Sequence, residues 1–131
     1  LMIEYVTEFH KKFNLPTGET DVLSTSSEIQ GYRSEFMQEE LNEFVLALAE
    51  GNKVKAFDAL LDLVYVAEGT ALFMGIDQVQ WNSGMRAVHE ANMAKERASK
   101  AEDSKRGSTL DVIKPAGWVG PETTLEEILS W

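Results

Sequence analysis

The stretch between residues 59 and 67 restricts the fold more than any other part of the chain. Every side chain in it except that of Asp62 is apolar or aromatic. At helical periodicity these residues leave no polar face, and a helix without a polar face is an inner helix. We place this helix at residues 53–74, ended by Gly75. No rotation of the helix brings Asp62 into water without also exposing a Leu or Val side chain.

The other periodic segments predict an all-α fold, a four-helix bundle followed by a C-terminal loop and a short last helix. The first helix covers residues 3–13, and the second runs from the Ser- and Thr-rich stretch 24–28 to Gly51. The fourth helix begins at a capping pair of Asp77 and Gln80 and ends near Lys100. The last helix covers residues 124–129. No segment has the alternation that predicts a strand. We assign residues 1–100 to a helical core and residues 101–131 to an extension of the same domain.

The second helix carries carboxylates on its apolar side. Glu40 lies one helical turn after Phe36 and one turn before Phe44, so it falls inside the apolar arc. Glu43 lies at the edge of that arc, and Glu39 follows it. These acids are therefore predicted to point away from water.

The third helix repeats this arrangement, because Asp58 lies one turn before Asp62 on the same face. Each pair of like charges about 4 to 6 Å apart costs on the order of 3 to 4 kcal/mol at an effective dielectric constant near 20. Several such pairs would match the whole stability of a small domain, about 5 to 15 kcal/mol. Shared protons, a cation, or basic side chains such as Arg33, Lys53 and Lys55 must neutralise the cluster. Oxygen ligands in a chain without cysteine favour Mg²⁺, with Mn²⁺ as a second choice.

The charge balance and the hydropathy pattern exclude several other classes of protein. A formal net charge of -10 argues against stable nucleic-acid binding, which depends on Lys and Arg replacing counterions. No apolar run reaches the ~18 residues that span a bilayer, and the first residues lack the pattern of a signal peptide. We therefore expect a cytoplasmic protein that does not bind membranes.

Two motifs together resemble a known family. Residues 38–43, Gln-Glu-Glu-Leu-Asn-Glu, are followed after a short turn by residues 58–66, Asp-Ala-Leu-Leu-Asp-Leu-Val-Tyr-Val. This combination resembles the MazG-like nucleotide pyrophosphohydrolases, and most closely their phosphoribosyl-ATP pyrophosphohydrolase-like branch. Residues 9–16, 69–77 and 88–95 support the resemblance.

The resemblance implies an activity, a cofactor and an assembly. Such proteins are all-α dimers or tetramers that use Mg²⁺ to split nucleoside triphosphates into monophosphate and pyrophosphate. We therefore expect a nucleotide substrate and a homodimer or homotetramer whose partner subunit completes the bundle. Residues 1–100 would be the catalytic core.

The resemblance also assigns roles to the acids. Glu40 and Glu43 would be the first metal-binding pair, and Glu39 an extra ligand or the acceptor that orients the attacking water. Asp62 would anchor the second pair. This chain departs from the commoner spacing, because the residue three before Asp62 is Ala59 and the acid, Asp58, is four before. Asp58 is therefore a less secure ligand than Asp62.

The basic residues gather near the C-terminal end of the fourth helix. Six of the 12 lie there or in the segment after it: Lys95, Arg97, Lys100, Lys105, Arg106 and Lys114. By resemblance, Asn92 and Lys95 would contact the phosphates of the substrate, and Lys114 and Trp118 would belong to a substrate-binding loop. Trp118 would either stack on a base or fill a subunit interface. His89 would be either a structural histidine or a base.

Two other functions compete with this one. A carboxylate-bridged di-iron bundle requires Glu-x-x-His pairs, but the residues three before His89 and His10 are Arg86 and Thr7, so the sequence excludes it. A non-catalytic acidic interaction module would place its acids on solvent-facing surfaces.

Overall fold

The computed structural model describes residues 2–131, and their side chains from Ile3 onward. The helices are α1 Met2–Lys12, α2 Ser27–Ala49, α3 Lys53–Phe73, α4 Gln78–Met93 and α5 Glu122–Leu129, with a 3₁₀ turn at Ala101–Asp103. Two short strands, β1 Glu96–Arg97 and β2 Val112–Ile113, pair in antiparallel orientation. The predicted architecture of four helices, a C-terminal loop and a short last helix is confirmed.

Local capping signals set the ends of the central helices. The Ser26 side chain accepts from the backbone N–H of Ile29 at 3.2 Å and begins α2. Gly51 follows the end of α2 with a φ of 66°, a left-handed backbone conformation that favours glycine. Asp77 and Gln80 form the predicted capping box, with reciprocal side-chain bonds of 2.9 and 3.0 Å to each other's backbone N–H.

The end of α4 differs from the prediction, because the helix stops at Met93 rather than near Lys100. The backbone beyond Met93 pairs with a later segment instead of continuing the helix. Glu96 is paired with Ile113, and the N–H of Ala98 donates to the carbonyl of Asp111 at 2.9 Å. The strands escaped prediction because two residues are too few to show alternation.

The chain forms two compact units, of which the first ends at Trp81. In this unit α2 and α1 both pack on α3. Ile3, Val6 and Leu72 form its fully buried core, with Trp81 packed against them.

The two halves of α3 differ in burial. Its second half is buried from Glu68 to Phe73, as expected for an inner helix. In its first half Val54 is 79% exposed and Phe57 63% exposed. Within one chain, the prediction of an inner helix is therefore wrong for the first half, because α2 and α1 do not cover all of its sides.

The second unit comprises Asn82–Trp131. It contains most of α4, the β1–β2 pair and α5, and its buried apolar residues are Ala98 and Ile128. Across the described residues, the structure has no helix that is both long and apolar enough to span a membrane.

Candidate active site

Neighbouring positions on α2 and α3 bring the predicted acids together in the first unit. Glu43 and Asp58 line one crevice of about 280 Å³ between these helices. Glu40 and Asp62 lie one turn away from them, on α2 and α3 respectively. The negative charge of Glu43 raises the pKa of both Glu40 and Asp62. The two predicted pairs therefore belong to one electrostatic cluster.

Glu40 is the acid whose surroundings are least suited to a negative charge. Its side chain is half-buried, and its Oε2 atom is buried without a hydrogen-bond partner. Burial is the main cause that raises the pKa of Glu40 from its ordinary value of 4.5 to about 7, and the charge of Glu43 is the next. The charges of Asp62 and Glu39 add to the shift. Near neutral pH this carboxyl group is thus able both to hold and to release a proton.

Asp62 has a similar environment on the facing helix. It is half-buried, and burial followed by the charge of Asp58 raises its pKa. Glu39, Glu43 and Asp58 are exposed. Four or five of these acids were expected to point to the interior, and within one chain only Glu40 and Asp62 are half-buried, because the apolar side of α2 is not fully covered.

Basic side chains do not neutralise this cluster. The buried guanidinium of Arg33 donates to the carbonyl of Val66 at 2.9 Å and to the hydroxyl of Thr70 at 3.1 Å, and it lies over the Phe73 ring. The Lys55 ammonium lies 3.8 Å from Glu50 instead. In the described part of the chain, none of the five predicted acids forms an ion pair with a basic residue.

The donor chemistry of the cluster fits a hard divalent cation. Its ligands would all be carboxylate oxygens, the type that Mg²⁺ and Mn²⁺ prefer. Among residues 2–131 as they stand, no three His, Asp or Glu side chains form a group that could hold a metal ion. The Oε2 atom of Glu40 has no hydrogen-bond partner and is available as a metal ligand, and the side chains of Glu43 and Asp58 are exposed.

The four predicted substrate-binding residues lie in the second unit. The Lys95 and Lys114 ammonium groups lie 5.3 and 5.0 Å from the centroid of the Trp118 ring. The indole Nε1 of Trp118 donates to the carbonyl of Ala91 at 2.7 Å. Asn92 is exposed in the last turn of α4. The structure thus brings three of the four together around one ring.

One expectation for this region needs correction, because Lys95 lies beyond the end of α4 and not within the helix. His89 is exposed on α4. Lys105, which was not among the predicted binding residues, lines a cavity with Lys95 and Lys114. The clustering of six basic residues was the signal for it.

The helical fold and the paired acids on α2 and α3 define the class of MazG-like pyrophosphohydrolases. The family model that matches is phosphoribosyl-ATP pyrophosphohydrolase, over residues 6–92, and the chain belongs to this family. Membership supports a pyrophosphohydrolase activity on nucleotides. Among curated proteins, none matches the sequence significantly. The matched range includes all five acids and Asn92, whereas Lys95, Lys114 and Trp118 follow it.

Proposed function

We propose that the protein hydrolyses a nucleoside triphosphate to a monophosphate and pyrophosphate with the help of Mg²⁺. The observation that carries the proposal is the cluster of acids on α2 and α3, which lacks basic partners and includes the buried, unpartnered Oε2 of Glu40. Such a cluster is costly without a cation. Within this proposal Glu40, Glu43 and Asp62 hold the cation, with Asp58 as a further ligand.

The residues of the chain have separable roles in this reaction. When bound, Mg²⁺ would supply positive charge to the triphosphate oxygens and polarise the attacking water. Glu39, exposed beside Glu40, orients this water by accepting its hydrogen bond. In the absence of a cation the Glu40 carboxyl has a pKa of about 7, and binding of the cation would displace its proton. Asn92, Lys95 and Lys114 bind the phosphates, and no covalent intermediate is required.

We also propose that the active protein is a homodimer or homotetramer. Exposed apolar side chains of α2 and α3 lie on the same helices as the acids: Val45, Leu46, Leu48, Val54, Phe57 and Leu61. A monomer seldom leaves so many large apolar side chains uncovered on packed helices. A second copy would cover them and complete the bundle. Light scattering after size-exclusion chromatography should give at least twice the mass of 14.6 kDa.

The central test is pyrophosphate release from a panel of nucleotides, including phosphoribosyl-ATP, in the presence of Mg²⁺. Glu40→Gln and Asp62→Asn should each lower kcat/KM by at least ~100-fold, since each removes a charged ligand and leaves the shape of the side chain nearly unchanged. EDTA should abolish the activity of the wild type.

Glu35→Gln is the matched control, because Glu35 is an exposed acid of α2 outside the cluster. It should retain activity within about twofold of the wild type. Full activity of Glu40→Gln and Asp62→Asn would rule out the proposed site. If the wild type released pyrophosphate from no nucleotide, the non-catalytic acidic module would become the better interpretation of the exposed Glu39, Glu43 and Asp58.

A further inference from the structure

One buried cation of the first unit has no part in the proposed reaction. The guanidinium of Arg33, near the start of α2, is buried and has no carboxylate partner among the described residues. A buried charge without an opposite charge is costly. The acids of the cluster lie further along the same helix, and they too have no basic partner in the described part of the chain. The burial of Arg33 therefore needs an explanation other than charge neutralisation.

The Arg33 side chain is bound firmly to α3. Its Nη2 group donates to the carbonyl of Val66 at 2.9 Å, and its Nε group donates to the Thr70 hydroxyl at 3.1 Å. The Thr70 hydroxyl donates in turn to the same carbonyl at 2.8 Å, so the three groups form a closed set of hydrogen bonds. The guanidinium also lies over the rings of Phe73 and Phe36, at 4.6 and 5.4 Å from their centroids. Its position on α3 is thus fixed in both direction and distance.

Gly69 leaves the space that this guanidinium occupies. A Cβ atom at residue 69 would lie 2.9 Å from Nη2 of Arg33 and 3.0 Å from Nε2 of His10. The His10 ring is itself buried, and its Nδ1–H donates to the carbonyl of Pro16 at 2.5 Å, so the ring is held in place. A side chain at residue 69 would therefore push the guanidinium away from α3.

Arg33 and the acids lie along the same contact between α2 and α3. Arg33 near the start of α2 bonds the second half of α3, whereas Glu43 further along α2 lines the crevice with Asp58 of the first half. The two helices therefore run antiparallel. Glu40 lies two turns after Arg33, about 10 Å at 1.5 Å per residue, and is coupled electrostatically to Asp62. A shift of α2 along α3 at Arg33 thus changes the separation of Glu40 and Asp62.

The contact between the helices offers little else that would prevent such a shift. Near the acids its buried residues are small: Ala47 on α2, and Ala56 and Ala59 on α3. Apolar contacts are non-directional, and packed helices can slide on each other by small amounts. Away from the turn between the two helices, Arg33 makes the only hydrogen bonds that the described residues form from one helix to the other. These bonds therefore set the register of α2 on α3.

We propose that Arg33 is a positioning residue for the metal site and that Gly69 provides the space for its guanidinium. The directional bonds of Arg33 to α3 keep Glu40 and Asp62 at a separation at which both reach one cation. This inference rests on the proposed function, which assigns the cation to these acids. Arg33 touches neither the cation nor the substrate and acts only through the relative position of the two helices.

Manganese binding measures this effect without catalysis. Mn²⁺ is titrated into each protein without nucleotide, and the free ion is followed by electron paramagnetic resonance. Arg33→Met keeps an apolar stem over the aromatic rings and removes every donor, so it should fold and yet bind Mn²⁺ about tenfold more weakly. Arg33→Lys keeps the charge and a single donor group, and it should bind only about threefold more weakly than the wild type. Arg86→Met alters an exposed arginine and should change the affinity by less than about twofold.

Gly69→Ala displaces the guanidinium while Arg33 itself is unchanged. It should weaken Mn²⁺ binding about tenfold, although alanine favours a helix more than glycine does. Gly31→Ala is the matched control, because a Cβ atom at this residue of α2 meets nothing within 4 Å. It should bind Mn²⁺ as the wild type does. Equal affinities of the two alanine variants would overturn the role of Gly69.

Hydrolysis kinetics give a second readout that a merely structural role would not move. At limiting Mg²⁺, Arg33→Met should lower kcat about tenfold and change the KM for the nucleotide by less than about twofold, because the phosphate-binding residues are unaltered. Saturating Mg²⁺ should restore most of kcat. A uniform loss that Mg²⁺ does not restore would contradict the positioning role.

The Mn²⁺ titrations also separate failure of this inference from failure of the proposed function. Thermal melts identify a variant that does not fold, and Arg33→Lys then carries the test. Folded Arg33 variants that bind Mn²⁺ as tightly as the wild type would overturn the positioning role and leave the proposed function in place. A wild type that binds no Mn²⁺ would overturn the proposed function and this inference with it.

Discussion

The acidic crevice of the first unit and the cationic cavity of the second unit use charge in opposite ways. Beside the crevice, Glu40 and Asp62 are half-buried, have no basic partner among the described residues and have raised pKa values. In the cavity, Asp111 is tied to Arg106 and has a lowered pKa, while an aromatic ring holds two lysines. This difference supports the ligands of the proposed function, a divalent cation for the acids and the phosphates of the substrate for the lysines.

The comparison also shows how differently one residue type is used. Arg33 is buried in the first unit, where it donates to backbone and hydroxyl oxygens of α3. Arg106 is exposed in the second unit and pairs with a carboxylate. The Arg33 guanidinium therefore stabilises the packing of α2 on α3 and does not neutralise the acids.

Arg33→Ala should have the largest effect on stability. It removes two hydrogen bonds from a charged donor and the packing over Phe73, at a cost of about 3 kcal/mol in the free energy of unfolding. Urea denaturation should show the loss, whereas Arg86→Ala, which truncates an exposed arginine, should change stability by less than about 0.5 kcal/mol. An Arg33→Ala protein as stable as the wild type would mean that this guanidinium does not hold α2 on α3.

The pH dependence of stability should carry opposite signs in the two regions. The folded protein binds the Glu40 proton more tightly than the unfolded chain does, because the pKa rises from 4.5 to about 7. Its contribution to stability is complete below pH 4.5 and is lost as the pH rises towards 7. Asp111, with its pKa lowered from 3.8 to about 2, contributes above pH 3.8, and that contribution is lost as the pH falls towards 2.

Thermal melts in EDTA between pH 5 and pH 8 measure the first of these contributions. The Tm of the wild type should fall more steeply with rising pH than the Tm of Glu40→Gln. Added Mg²⁺ should raise the wild-type Tm more at pH 8 than at pH 5, because protons compete with the metal ion for the carboxylates. Parallel melting curves for the two proteins would contradict the raised pKa.

Asp111→Asn should have the smallest effect. The change frees Arg106 and removes one negative charge from the cavity that Lys95 and Lys114 line, so the KM for the nucleotide should fall about two- to threefold. Glu102→Gln is the matched control, because Glu102 is an exposed acid of the same segment that does not line the cavity. Asp77 caps a helix and is therefore not used as the control. Equal gains in both variants would indicate a general change of net charge.

The helices and the acid pairs were predictable because their signals are local. Capping pairs such as Asp77 and Gln80, and glycines such as Gly51 and Gly75, act within one turn of the chain. The position of Glu40 between Phe36 and Phe44 follows from helical periodicity alone. The order of residues along α2 is therefore enough to indicate a carboxylate in an apolar setting.

Contacts between distant residues were beyond the sequence. The end of α4 at Met93 depends on the pairing of Glu96 with Ile113, and the positions of Lys95 and Lys114 over Trp118 depend on that same pairing. The hydrogen bonds from Arg33 to α3, in place of an ion pair with an acid, likewise depend on how α2 packs on α3. Helical periodicity and caps act over a few residues, so the sequence determined the helices and the faces of the acids. Which charges find partners is set by long-range packing, and only the tertiary structure decided it.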